Sequence, residues 1–234
     1  LQVIAGNRRA LIESKPMQMA EGRLAYRSGR GTISIAEDIS LHSKERFVIA
    51  HEIGHIELHQ ETKTRPICDE DALNEHKEDS QPLEAEANEF AGELLMPRDM
   101  FVNACDGSPP QLEFLKEIAS KFQTSLTSSA IRYARIGPQP AAVVLVKDGD
   151  VQWYWPSPRF PHNYIEYYNE PPHPKSGAGK ILNRGEALEE TKVVKARTWF
   201  GDHAPRDQYF HESTHYSERY NRILCVLWEY NLDI

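Results

Sequence analysis

The residues best suited to do chemistry in this chain are His51-Glu52-Ile53-Gly54-His55, an HExxH pattern. Positions four apart on a helix share one face, about 6 Å apart along the axis. Two imidazoles so placed converge on one divalent ion, which zinc accepts at about 2.0 to 2.1 Å. Glu52 then stands beside the ion without having to ligate it, where it takes a proton from activated water. His51 and His55 are therefore the expected metal ligands and Glu52 the expected general base.

The pattern occurs twice, the second time as His211-Glu212-Ser213-Thr214-His215. Context separates the two. The first lies in an apolar stretch that reads as a helix over 43–60, with Ser43 as N-cap and Phe47, Val48, Ile49, Ile53, Ile56 and Leu58 spread around it. Such a helix is expected to be largely buried. The second lies in β-rich surroundings, where positions four apart are about 13 Å distant, so it is expected to be coincidental.

A hydrolytic zinc site keeps three protein ligands and an open position. The third is expected from a second helix over 83–96, stopped by Pro97, with the stripe Leu83, Ala87, Phe90, Ala91, Leu94 and Leu95. Glu84 lies at the inward edge of that stripe and Glu86 about 200° from it, so Glu84 is chosen over Glu86. Asn88 shares the face of Glu84 and is placed to hydrogen-bond a ligating histidine. His59 lies four residues beyond His55. As a fourth ligand it would close the coordination sphere, so it reads as a packing or supporting residue.

Further helices are expected over 111–122 and 126–135, strands over 32–36, 142–146, 151–155, 192–200 and 222–230, and a tight turn over 147–150. Residues 61–82 read as a polar loop. Pro138 and Pro140 mark a linker, which divides the chain into a mostly helical half, residues 1–137, and a β-rich half, residues 138–234. The fold class is α+β.

The formal net charge is −8, and residues 61–89 carry ten acids against three bases. Phosphate backbones select basic surfaces, so direct nucleic-acid binding is not expected. No apolar run reaches the roughly 18 residues of a membrane helix, and no secretory leader pattern is read. Cys68, Cys105 and Cys225 form no CxxC pair, which fits inert thiols in a reducing cytoplasm. His203, His211 and His215 beside Asp202 read as scattered surface histidines. The runs Trp153-Tyr154-Trp155 and 164–168 read as strand and turn packing or a peptide surface.

The string Phe47-Val-Ile-Ala-His51-Glu-Ile-Gly-His55-Ile-Glu-Leu-His59, followed by Glu84-Ala-Glu-Ala-Asn88-Glu-Phe90-Ala-Gly-Glu-Leu94-Leu-Met-Pro97, closely resembles the ImmA/IrrE metallopeptidases. A fainter similarity runs from Phe122-Gln-Thr-Ser125 through Ala130-Ile-Arg132. The resemblance implies a zincin-like domain with His51, His55 and Glu84 on zinc (manganese being the other metal considered) and Glu52 as base. It implies as substrate a DNA-binding repressor of helix-turn-helix type, cut to release stress-response or mobile-element genes. Tyr26, Arg132 or a tyrosine of the β-rich half are candidates to stabilise the oxyanion. The rival expectation is a regulatory module that keeps the zinc fold and sequesters a repressor without cutting it.

Overall fold

The computed structural model describes residues 1–17, 21–59, 82–184 and 191–229. The expected polar loop over 61–82 and Cys68 lie outside these, Pro82 excepted. The described residues have a helical N-terminal half and a β-rich C-terminal half, in agreement with the α+β expectation. No described helix is long and apolar enough to cross a membrane.

In chain order the elements are α1 (Gln2–Asn7), β1 (Ala10–Lys15), β2 (Gly22–Arg27), β3 (Arg30–Ala36), α2 (His42–Leu58), α3 (Pro82–Leu95), α4 (Arg98–Cys105), α5 (Leu112–Phe122) and α6 (Leu126–Ile136). There follow β4 (Ala141–Lys147), β5 (Asp150–Pro156), α7 (Gly177–Arg184), β6 (Thr191–Lys195), the single turn α8 (Arg197–Phe200), β7 (Tyr209–Ser217) and β8 (Arg222–Glu229).

Packing groups these into two compact units. One comprises Leu1–Arg98 with Lys121–Ser125, the other Asp99–Ser120 with Leu126–Ile234. The units therefore do not part at residue 137, where sequence character changes. The reason is local: α6 packs on β4 and β5 and belongs with the C-terminal sheet.

The first unit is built on a three-stranded sheet of order β1-β3-β2, with β1 parallel and β2 antiparallel to β3. Arg27 and Arg30 pair across a two-residue turn in which Ser28 and Gly29 both have positive φ, +52° and +73°. That is the primed turn whose twist suits adjacent antiparallel strands. Ile33 and Ile35, two apart on β3, put their side chains on one face, where Val48, Ile49, Ile53 and Ile56 of α2 cover them. Burying four such aliphatic side chains contributes on the order of 1.5 to 3 kcal/mol each. Every residue of α2 from Val48 to Ile56 is buried, as its apolar periphery requires.

Two local expectations are corrected. The N-cap of α2 is Leu41, with no side-chain cap bond, and the helix begins at His42, so Ser43 is inside it. The strand expected over 192–200 ends at Lys195 and turns helical at Arg197–Phe200. Trp199 and Phe200 are consecutive and both buried in one core, which a strand's alternation would forbid.

The second unit holds an antiparallel sheet of order β5-β4-β8-β7-β6. Residues Ala141 to Val146 of β4 are buried without alternation, so both faces of that central strand are covered. The expected β4–β5 turn is present, with Asp148 at φ +54° and Gly149 at +94°. Cys105 and Cys225 are free and buried, and burial pushes the Cys105 thiol up to about 11.

Candidate metal centre

Helices α2 and α3 pack against each other within the first unit, and the site lies between them. Their close approach has a sequence cause. A Cβ on Gly54 would lie 3.1 Å from Phe90 Cδ1 and 3.2 Å from both Cα and O of Ala87. The glycine of HExGH and the small Ala87 let two backbones meet where larger residues would hold them apart.

Three side chains meet across that seam. His51 Nε2 lies 3.0 Å from His55 Nε2. Glu84 places Oε2 3.1 Å from His51 Nε2 and Oε1 3.3 Å from His55 Nε2. The two rings stand edge to face, centroids 4.7 Å apart. All three residues are buried. Burial pushes the Glu84 carboxyl up, but hydrogen bonds and charge from His51 and His55 outweigh it and hold the group at about 2.

Four ligands at 2.0 to 2.1 Å in a tetrahedron lie about 3.3 Å from one another. The spacings between the two imidazole nitrogens and the carboxylate are close to that figure. The donor set, two imidazoles and one carboxylate, suits a divalent transition ion. This buried His-His-Glu group could therefore hold a metal ion, and the residues present fit one. Among the described residues it is the one cluster of this kind.

The outer contacts are as specific as the inner ones. His51 Nδ1 is 2.7 Å from Asn88 Oδ1, the partner expected for it. An amide oxygen accepts, so His51 carries a proton on Nδ1, the tautomer that leaves Nε2 for an ion once a metal takes the place of the proton shared with Glu84. His55 Nδ1 is 2.9 Å from His59 Nδ1, and His59 Nε2 is 2.9 Å from Glu86 Oε2. Glu86, the acid passed over as a third ligand, thus reaches the ion's surroundings through His59.

Glu52 is wholly buried on the first turn of the motif. Gly22, the first residue of β2, gives it room: a Cβ there would lie 2.8 Å from Glu52 Oε1 and 2.5 Å from Val48 Cγ1. Sequence reading missed Gly22. A glycine opening a strand signals close approach of something to the backbone, although it does not say of what.

Tyr26, an oxyanion candidate, donates its hydroxyl to the backbone carbonyl of Arg8 at 3.3 Å. Arg132 is buried on α6 in the second unit. The second HExxH lies on strand β7, where Glu212 is buried, His211 stacks on Trp228 at 5.1 Å, and no metal-binding group forms among the described residues. His203 lies on the short turn after α8, with Tyr164 as ring neighbour at 6.3 Å.

The chain belongs to the IrrE N-terminal-like domain family (Peptidase_M78), whose model matches residues 10–133. That range takes in the three strands, α2, α3 and the whole candidate centre. A solved structure of a Mycobacterium tuberculosis transcriptional regulator has a similar fold, at TM-score 0.60 and 12% identity, with 97% of this chain and 69% of that one covered. No curated protein matches the chain.

Proposed function

We propose that this protein is a metal-dependent endopeptidase with a zincin-like catalytic unit. It hydrolyses a peptide bond in a protein substrate, and the substrate is a helix-turn-helix repressor whose cleavage relieves repression in the cytoplasm. The observation that carries the hydrolytic reading is the meeting of His51 Nε2, His55 Nε2 and the Glu84 carboxylate, with Glu52 next to His51 in the chain and buried. Membership of a peptidase family supports it. The regulatory substrate rests on resemblance to the ImmA/IrrE metallopeptidases and on the acidic, non-basic character of the chain.

His51, His55 and Glu84 would hold the ion, with zinc the first choice and manganese the second. When bound, the ion supplies an electrophile for the peptide carbonyl and lowers the pKa of water. The remaining work belongs to the chain. Asn88 fixes the His51 ring, so that its lone pair stays directed at the shared point. Glu52 accepts the proton of the attacking water and hands it to the leaving amine. Burial of the whole group lowers the local dielectric and strengthens each of these interactions.

The test uses Glu52→Gln with a helix-turn-helix repressor bound to its operator. Metal content should be unchanged and cleavage should fall by about 10² to 10⁴. DNA release by wild type and variant alike, without cleavage, would replace this reading with that of a sequestering module.

A further inference from the structure

HExxH and Glu84 account for three ligands and a base, but leave His59 and Glu86 without a task. His59 closes α2: it is the C-cap, with φ −124° and ψ 26°, and its N–H donates to the carbonyl of His55 at 3.0 Å. Leaving the helix at this point takes its ring off the line of His51 and His55. The ring does not reach the shared point of the three ligands. It sits behind His55, buried, with Nδ1 on Nδ1 at 2.9 Å. On its far side Nε2 meets Glu86 Oε2 at 2.9 Å, and the Glu86 side chain is 59% exposed.

These contacts have a direction. A carboxylate only accepts, so a neutral His59 facing Glu86 carries its proton on Nε2. Its Nδ1 is then a bare lone pair, which requires the proton of the 2.9 Å contact to sit on His55 Nδ1. His55 Nε2, beside His51 Nε2 and Glu84, is then the position left for the ion. With an ion on His55 Nε2, reversing any one of these steps would set two lone pairs or two protons face to face. His51 reaches the same state through Asn88, so each imidazole has its own acceptor behind it.

We propose that Glu86 and His59 form a positioning relay that fixes the tautomer and orientation of His55 for metal binding. Glu86 supplies the anion from the surface, and His59 carries its effect into the interior. The proposal rests on the metal reading above, since an ion on His55 Nε2 is what fixes the direction of these two contacts. Outer acceptors of this kind change metal affinity by about 10- to 100-fold.

The experiment compares wild type, Glu86→Gln, His59→Ala and Glu89→Gln, all as the full chain. Glu89→Gln removes the same charge from an exposed position of α3 and serves as the control. Zinc affinity is read by competition with a chromophoric chelator, and histidine tautomers by ¹⁵N NMR with and without zinc. The zinc-loaded wild type should show His55 protonated at Nδ1 and His59 at Nε2. Glu86→Gln should mix the His59 tautomers, because an amide can donate as well as accept, and lower zinc affinity about 10-fold. His59→Ala should lower it further, and Glu89→Gln should leave affinity and tautomers alone.

The relay is overturned if His59 carries its proton on Nδ1, or if Glu86→Gln binds zinc as wild type does with His59 unchanged. A wild type that held no zinc would overturn the metal reading, whereas one that bound zinc with His59 protonated on Nδ1 would overturn the relay alone.

Discussion

His51 occupies the most enclosed point of the centre, fully buried, with Glu84 on one ring nitrogen and Asn88 on the other. Asn88→Ala removes an acceptor from a buried N–H and also frees the ring to rotate. Zinc affinity is expected to fall about 10- to 100-fold, and stability by about 1 to 3 kcal/mol for the unsatisfied donor. Chelator competition and urea unfolding read the two effects separately. Asn88→Asp keeps an acceptor and should retain most of the affinity. A result in which Asn88→Ala held zinc as wild type does would mean that packing alone orients His51. Glu52 behaves differently at this scale. It is not needed to bind metal, so Glu52→Gln should separate zinc content, unchanged, from turnover.

At the scale of elements, the centre depends on how closely α2 and α3 approach, and Gly54 sets that distance. Gly54→Ala drives a Cβ against backbone atoms of Ala87, which cannot rotate away, so the helices must part by a few tenths of an ångström. Donor distances tolerate only about 0.2 Å. Zinc affinity should drop by about 10-fold or more, with a stability loss of about 1 to 3 kcal/mol. Gly92→Ala on α3 meets nothing within 4 Å and should gain stability, by up to about 1 kcal/mol from helix propensity. Opposite signs for one substitution on two packed helices would be seen in thermal unfolding. Equal signs would show that the seam is looser than its contacts indicate. The same elements show what was legible beforehand. The pairing of His51 with His55 and the choice of Glu84 over Glu86 follow from helical periodicity within single segments. The part played by Glu86 does not, because it depends on where α2 ends and how His59 turns at the cap. Gly22 could not be matched with Glu52 either, since thirty positions separate a strand from a helix that only folding brings together. In the second unit, Trp199 and Phe200 read as strand residues until a shared core demands a helical turn.

For the whole molecule, the most telling group lies away from the centre, on the second HExxH. Glu212 is buried in the C-terminal unit, where its Oε1 accepts the N–H of Gly177 at 2.8 Å, at the start of α7. Burial pushes its carboxyl up to about 7, against the N–H of Gly177, the cations of Lys180 and Lys192 and the indole of Trp199. The unfolded chain releases this proton at the ordinary value of 4.5. Between 4.5 and 7 the folded unit therefore holds more protons than the unfolded one. Its stability from this group is complete below that window and is lost as pH rises through it. Going from pH 5 to pH 8 should remove about 2 to 3 kcal/mol. His173 and His211, whose values burial lowers, act in the opposite sense, losing stability as pH falls, so the comparison must be made against Glu212→Gln. The variant keeps an acceptor for Gly177 and discards the titrating proton. All four tryptophans, Trp153, Trp155, Trp199 and Trp228, belong to this unit, so urea unfolding followed by tryptophan fluorescence reports on it alone. The variant should gain on wild type by about 2 to 3 kcal/mol between pH 5 and pH 8. A constant difference across that range would mean that Glu212 stays charged when folded, held by the two lysines and the helix start rather than neutralised by burial.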